Sequence, residues 1–383
     1  MKHYDYIFIG SGLAALMTLH QMVLSGKFTE NSILVIDPDT KQQNDRTWCF
    51  WEKANGAWDS IVYRKWEHAI FASPDYRRTL DFTPYAYKMV RGLDFYTYVL
   101  EILSKVPGIT FLNESVEDYN ESDDWVIVQT TNQVYSCSKA FCSIYKPAPV
   151  LGQKKYPVLQ QHFMGWVIQS DVAVFDPAKP VFMDFSIPQS GNTRFMYVLP
   201  FSKTEALIEY TLFSEKLLPH ESYEEALREY IAQLGIEDYR ILDREQASIP
   251  MTSYPFWKRN TKNILHIGTA GGWTKASTGF TFKNADKKSK ALVAFLQTNN
   301  DFREFYRRDK FWFYDLLLLD ILDRTNEKGA LIFSTLFQKG NPALILKFLD
   351  EDTSLWEDLQ VTSKCPKSLF LAALFRRLFG RRA

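Results

Sequence analysis

The stretch Tyr4-Asp5-Tyr6-Ile7-Phe8-Ile9-Gly10-Ser11-Gly12-Leu13-Ala14-Ala15-Leu16 decides the fold. Residues 6–9 form a short apolar run of the kind that makes a buried parallel strand. Gly10 and Gly12 permit a tight turn and close approach of the backbone to a ligand, and residues 13–24 read as a helix. Strand, glycine turn and helix leave bare backbone N–H groups at a helix N-terminus, where a pyrophosphate binds. A second strand over 32–36 ends in Asp37, an acid suited to a ribose hydroxyl. Ala15 stands at the third glycine position, which tolerates it because that position serves helix–strand packing. The pattern predicts a dinucleotide site built on Gly10, Ser11, Gly12, Leu13, Ala14, Ala15 and Asp37, and by itself does not separate FAD from NAD.

Outward from that stretch, 383 residues suffice for one large or two moderate domains. A hydrophobic share of 46% and a charged share of 23% are those of a soluble globular chain, while 15% aromatic residues suit pockets for extended apolar ligands as well as cores. A formal net charge of zero argues against nucleic acid as the main partner. Cys49, Cys137, Cys142 and Cys365 lie at no ligand-like spacing and the six histidines include no close pair, so no metal is expected and a reducing compartment is. A strand beginning at Tyr4 leaves no room for a signal peptide, and no apolar run reaches the ~20 residues of a spanning helix. A cytoplasmic protein is the resulting expectation.

The run Asp45-Arg46-Thr47-Trp48-Cys49-Phe50-Trp51 can be core filling beside a surface arginine, or the wall beside a bound ring system with Arg46 near its phosphates or electron-rich edge. Residues 94–105 read as helix, 109–112 as a further parallel strand, and 125–129 with 133–136 as a hairpin. After a linker marked by Pro147, Pro149 and Gly152, the segments 161–170, 181–186, 193–201 and 206–213 read as antiparallel strands of a substrate-binding sheet, with an amphipathic helix over 221–235 packed on its outer side. The expected organisation is a Rossmann-like nucleotide-binding domain from 1–150 and 256–300, an antiparallel β-sheet domain over 151–255, a helical region over 301–366 and a basic tail over 367–383.

Glu209 is chemically out of place in this sheet. The two-residue period puts Leu207, Glu209, Thr211 and Phe213 on one face and Ala206, Ile208, Tyr210 and Leu212 on the other. A glutamate among such neighbours lies either on a solvated edge or in a cavity, and a buried carboxyl without a cation keeps its proton and can act as an acid. Asp184, in Phe182-Met183-Asp184-Phe185, has similar surroundings and is a second candidate. The chain then returns to the nucleotide domain: a strand over 263–268 ends in a turn with Gly268, Gly271 and Gly272, followed by Gly279 and a helix over 284–297. A late second strand–turn–helix is the two-part signature of FAD proteins, which an NAD dehydrogenase has little need for, so FAD is the expected cofactor.

Taken together, five segments resemble the bacterial and plant lycopene β-cyclase family: the run 45–51, Gln161-His162-Phe163-Met164-Gly165-Trp166, Met183-Asp184-Phe185, Leu207-Ile208-Glu209-Tyr210-Thr211, and 270–282. They occur in the family's order over roughly residues 4–285. Only the first of the two adjacent acids common in the family is present, as Glu209, and Arg46 replaces a common histidine. The resemblance implies an enzyme that closes the ψ-ends of lycopene, a carotenoid, to β-rings with Glu209 as acid. It also implies reduced FAD without net redox change and NAD(P)H as its reductant. A flavin-dependent monooxygenase and a non-enzymatic isoprenoid carrier share the same architecture.

The tail fits a membrane-resident substrate. Residues 305–322 read as core or pocket lid rather than membrane, given Asp315 and Asp320. From 359 onward there is no acid, and Lys364, Lys367, Arg376, Arg377, Arg381 and Arg382 flank an apolar segment over 369–375. That is either an interfacial anchor drawn to anionic lipid or a surface helix, and it predicts peripheral membrane contact through 367–383.

Overall fold

In the computed structural model, which describes residues 1–379 apart from 54, 123 and 307, the first strand spans Lys2–Ile9. It lies between Ile33–Ile36 and Val134–Cys142, parallel to both. Ile109–Leu112 extends the parallel array beyond Ile33–Ile36. The far edge of Val134–Cys142 is divided: its first half pairs antiparallel with Trp125–Thr130, and its last residues pair parallel with Ile264–His266. Alternation explains why this sheet is buried on both sides. Phe8 and Val35 face the helices Leu13–Ser25 and Phe282–Phe295, whereas Ile7, Ile9 and Leu34 face a second cluster with Val126 and Val128. The expected Rossmann-like α/β fold is thus present, with an antiparallel meander whose outer strand, Val116–Ser122, the sequence reading did not contain.

A second seven-stranded sheet runs in the order Tyr239–Met251, Leu159–Ser170, Glu205–Ser214, Thr193–Pro200, Val181–Asp184, His68–Ser73 and Tyr76–Asp81. Two of its parts were not read from the sequence. The hairpin over 68–81 enters this sheet by parallel pairing with Val181–Asp184. The strand Tyr239–Met251, 13 residues long, was not read from the sequence at all. One face of the sheet packs Met164, Trp166, Ile208, Tyr210 and Leu212 on the helix His220–Gln233, on the outer side as expected. The opposite face packs on Trp51, Trp66, Tyr87 and Met89 and on the C-terminal helices.

The stretch 305–322, expected as core or pocket lid, supplies core. The stretch read from 305 begins its helix at Lys310, where Asp309 caps the N-terminus by accepting from Trp312 N–H at 2.9 Å. Leu319 and Leu322 of that helix are core, and the helix that roofs the space beneath the second sheet is the next one, Gly329–Lys339, through Phe333, Leu336 and Phe337. The last helix, Lys367–Phe379, seats Ala373 against Leu317 and Ile321, and its Arg377 pairs with Asp320. Leu371, Phe375, Leu378 and Phe379 stay exposed on it. Arg381 and Arg382 lie outside the described residues. Among the described residues no helix is long and apolar enough to cross a membrane, and no cluster of metal-ligating side chains occurs.

Candidate active site

The glycine turn is held in shape by its own sequence. Gly10 adopts φ +93°, and a Cβ there would lie 2.2 Å from Ser143 Oγ, so both the backbone conformation and the space demand glycine. Asp37, at the end of Ile33–Ile36, accepts from Ser11 through its N–H at 2.6 Å and its hydroxyl at 3.0 Å. Gly12 precedes the helix Leu13–Ser25, which no side chain caps, and the space beside Gly12 is open. The N-terminal N–H groups of this helix are therefore available to a ligand. The late loop meets it: a Cβ at Gly268 would touch Ala14 Cβ at 3.3 Å.

From this junction a single cavity of about 570 Å³ extends under the second sheet. Gly12, Leu13, Ala14, Arg46, Gly268 and Gly279 line it, whereas Gly10, Ser11, Ala15, Asp37, Gly271 and Gly272 do not. Of the latter group, Ala15 is fully buried within the helix Leu13–Ser25, and a Cβ on Gly271 would strike the His266 carbonyl at 2.1 Å. These residues shape the loops without facing the cavity. The run 45–51 answers both of its readings. Arg46, Thr47, Trp48 and Cys49 form cavity wall, and Phe50 and Trp51 are core. Farther in, the lining turns apolar, with Phe182, Phe195, Leu207, Phe213, Phe333 and Phe337.

Glu209 stands in this cavity, on the face shared by Leu207 and Phe213, so the alternation read from the sequence puts it on the correct side. Its Oε1 accepts from the Thr211 hydroxyl. Burial pushes the Glu209 carboxyl well above the usual range, the nearby Glu245 adds to this, and the Thr211 hydroxyl opposes it. Glu245 also lines the cavity; burial raises it too, against the Thr47 hydroxyl, which donates to its Oε2 at 2.8 Å. Tyr197, opposite Glu209 on the next strand, hydrogen-bonds Tyr87 hydroxyl to hydroxyl at 2.5 Å.

Asp184 is not brought to this place. It lies on the other face of the sheet, where its carboxylate accepts from the Tyr230 hydroxyl at 3.0 Å and the Ser186 N–H at 2.9 Å, and it does not line the cavity. Those partners account for its burial by structure alone. Sequence reasoning missed Glu245, Tyr87 and Tyr197, and singled out Thr47 only as part of the run 45–51. The one signal for Glu245 is the two-residue alternation Glu245, Ala247, Ile249, all three of which reach the cavity.

Parallel sheet, late glycine loop and an antiparallel sheet closing over a shared cavity define the fold of the flavoproteins. A flavoprotein/dehydrogenase from Cytophaga hutchinsonii superposes with a TM-score of 0.62 at 12% identity, over 98% of this chain and 100% of that one. A halogenase, PltM, solved in complex with FAD, gives 0.59 at 15% identity over 96% and 85%. The lycopene cyclase protein family matches residues 5–375, and the chain belongs to that family. Among its relatives, the lycopene beta-cyclase of Pantoea ananas is 24% identical over 293 residues, 73% of this chain and 71% of that protein. A lycopene beta-cyclase from Paracoccus sp. (strain N81106 / MBIC 01143) is 29% identical over 130 residues, 33% of each.

Proposed function

We propose that this chain converts the acyclic ψ-ends of lycopene to β-rings by acid-catalysed cyclisation, with Glu209 as the proton donor. The observation that carries the reading is a carboxyl with no ion-pair partner among the described residues, set inside a chamber lined mainly by aromatic and aliphatic side chains, where burial raises its pKa. A hydrocarbon polyene offers no heteroatom to recognise, so its binding rests on apolar burial, which this lining supplies. Glu209 transfers its proton to C2 of a ψ-end, breaking O–H and forming C2–H. The tertiary cation left at C1 is attacked by the C5=C6 bond, and C1–C6 closes the ring. Loss of the C6 proton then gives the β-ring, with no electrons exchanged overall.

The cavity's other end fits FAD. The uncapped helix N-terminus suits a pyrophosphate, and Gln161 Oε1 and Thr278 Oγ1, both at the cavity, are buried without a hydrogen-bond partner among the described residues. Gly12, Leu13, Ala14, Arg46, Gly268 and Gly279 would hold the cofactor directly, with Gly10, Ser11, Ala15, Asp37, Gly271 and Gly272 fixing the two loops. Reduced by NAD(P)H, FAD would supply an electron-rich ring system that stabilises positive charge in a dry site. Thr47 and Trp48 belong to the wall of the same cavity.

The substrate's home is a membrane, and the last helix supplies a means of contact. Leu371, Phe375, Leu378 and Phe379 are exposed beside Lys364, Lys367 and Arg376, a combination that favours an anionic lipid surface. Replacing Phe375, Leu378 and Phe379 by serine leaves Ala373 and the Arg377–Asp320 pair in place and should move the protein from the membrane to the soluble fraction. Unchanged fractionation would refute the anchor.

Expression in a lycopene-accumulating bacterium with pigment analysis tests the activity directly: β-ringed product should appear with the wild-type chain. Glu209→Gln should lower its formation by about 10²–10⁴-fold while flavin absorbance is retained. Wild-type cyclisation by that variant would remove Glu209 from the mechanism.

A further inference from the structure

The register of the second sheet places three residues in one row: Glu245 on Tyr239–Met251, Gly165 on Leu159–Ser170 and Glu209 on Glu205–Ser214. Glu209 and Glu245 are thus two strand spacings apart, roughly 9.5 Å between backbones, with their side chains rising on the same face. Between them stands a residue without a side chain. A Cβ at Gly165 would come to 3.0 Å from Leu207 Cδ1, 3.1 Å from Glu245 Cγ and 3.4 Å from Glu245 Oε1. The Glu245 side chain therefore leans over Gly165 toward Glu209, through space that any other residue would fill.

Each carboxyl has one hydroxyl donor of its own, Thr211 for Glu209 and Thr47 for Glu245. Neither forms an ion pair among the described residues. Two carboxyls so placed in a water-poor site cannot both ionise without strong repulsion. We infer that Glu245 is a positioning residue for Glu209, the two carboxyls holding one proton between them so that Glu209 stays protonated until an alkene takes that proton. This deepens the proposed cyclisation and rests on it for its chemical purpose. Once Glu209 has given its proton to C2, the pair bears two negative charges. The C6 proton released at ring closure restores the starting state, so each turnover returns the pair to a single proton.

The surrounding groups leave the pair to titrate alone. The Cys49 thiol is pushed up to about 12 by burial, and burial likewise holds Tyr87 and Tyr197 well above their usual range, so all three stay neutral through the working pH span. On the Glu245 side, Asp243 adds a repulsion and Arg46 an attraction. The helix Gly329–Lys339 contributes Phe333, Leu336 and Phe337, which are apolar.

The test is infrared titration of the carboxylic C=O stretch in the flavin-loaded protein. The band assigned to Glu209 is the one that disappears in Glu209→Gln. In Glu245→Gln its midpoint should fall by at least about one pH unit, because a charged neighbour has become neutral. The alkaline limb of cyclisation should move to lower pH by a similar amount. Gly165→Ala, which blocks the gap, should move both in the same direction and is read in place of Glu245→Gln should that variant not fold. A midpoint unmoved in a folded, flavin-bearing variant overturns the pairing. A moved midpoint in a protein whose wild type forms no β-ring would retain the pair and reject the cyclase reading, so the two failures are distinguishable.

Discussion

Two acid pairs among the described residues, each partly or wholly buried, are held in different ways. Asp315 and Glu351 surround Lys275, whose Nζ lies 3.1 Å from Asp315 Oδ1 and 3.0 Å from Glu351 Oε1, and Ser277 donates to Asp315 at 2.7 Å. Burial lowers Lys275, but the two carboxylates outweigh it and hold its charge in place. Glu209 and Glu245 have hydroxyl donors but no ion-pair partner among the described residues. Lys275 lowers both of its carboxyls, outweighing burial at Glu351 and only partly offsetting it at Asp315, so the three groups form a strut, whereas an acid whose nearest charge is another acid is a store for a proton. The difference assigns structure to one pair and reactivity to the other, within one chain and one fold.

The largest expected effect falls on the strut. Lys275→Met leaves two buried acids without their cation and should lower unfolding free energy by about 3–5 kcal/mol, read by chemical denaturation at neutral pH. A cost below about 1 kcal/mol would mean that Lys275 does not neutralise this cluster, and the contrast between the two pairs would fail. Glu209→Gln should go the other way. A carboxyl whose folded pKa is raised keeps a proton that the unfolded chain has released, so folding loses stability as pH rises from the ordinary carboxylate range toward the folded value. Glutamine removes that loss. The variant should therefore gain on the order of 1 kcal/mol at pH ~8, the free energy of one pKa unit, and little at pH ~4. A variant less stable at pH ~8 than the wild type would show that Glu209 is ionised and satisfied in the folded chain, making it a second strut.

What the sequence made legible follows the same physical line. The nucleotide-binding half was readable because its determinants are local: Gly10 and Gly12 between a strand and a helix, and Asp37 at the next strand's end, all within a single βαβ unit. Glu209 was readable because its apolar neighbours Leu207 and Phe213 share its face. Asp184 looked equivalent because alternation reports that a strand has two faces without reporting which of them meets the cavity; Tyr230, on a helix 46 residues away, decides that. Glu245 was invisible for a different reason. Its strand lies at the sheet edge, with Leu242, Asp243 and Arg244 exposed, so the flanking sequence reads as a charged loop. Its partnership with Glu209 exists only through the register with Gly165, which no local pattern encodes.

The smallest expected effect is also the sharpest test of which acid holds the proton. The Thr211 hydroxyl donates to Glu209 and favours its ionised form, opposing burial and Glu245. Thr211→Val keeps the shape of the side chain and removes that donor. The Glu209 midpoint should then rise, and the alkaline limb of cyclisation with it, by less than about one pH unit. Glu245→Gln lowers the same midpoint, so the two variants displace one titration in opposite directions. In Thr47→Val the lost donor belongs to Glu245, whose ionised form becomes harder to sustain, and the Glu209 midpoint should fall because its neighbour carries less charge. If Thr211→Val and Thr47→Val moved the limb in the same direction, the proton would not be localised on Glu209, and the division of roles between the two acids would have to be reversed or abandoned.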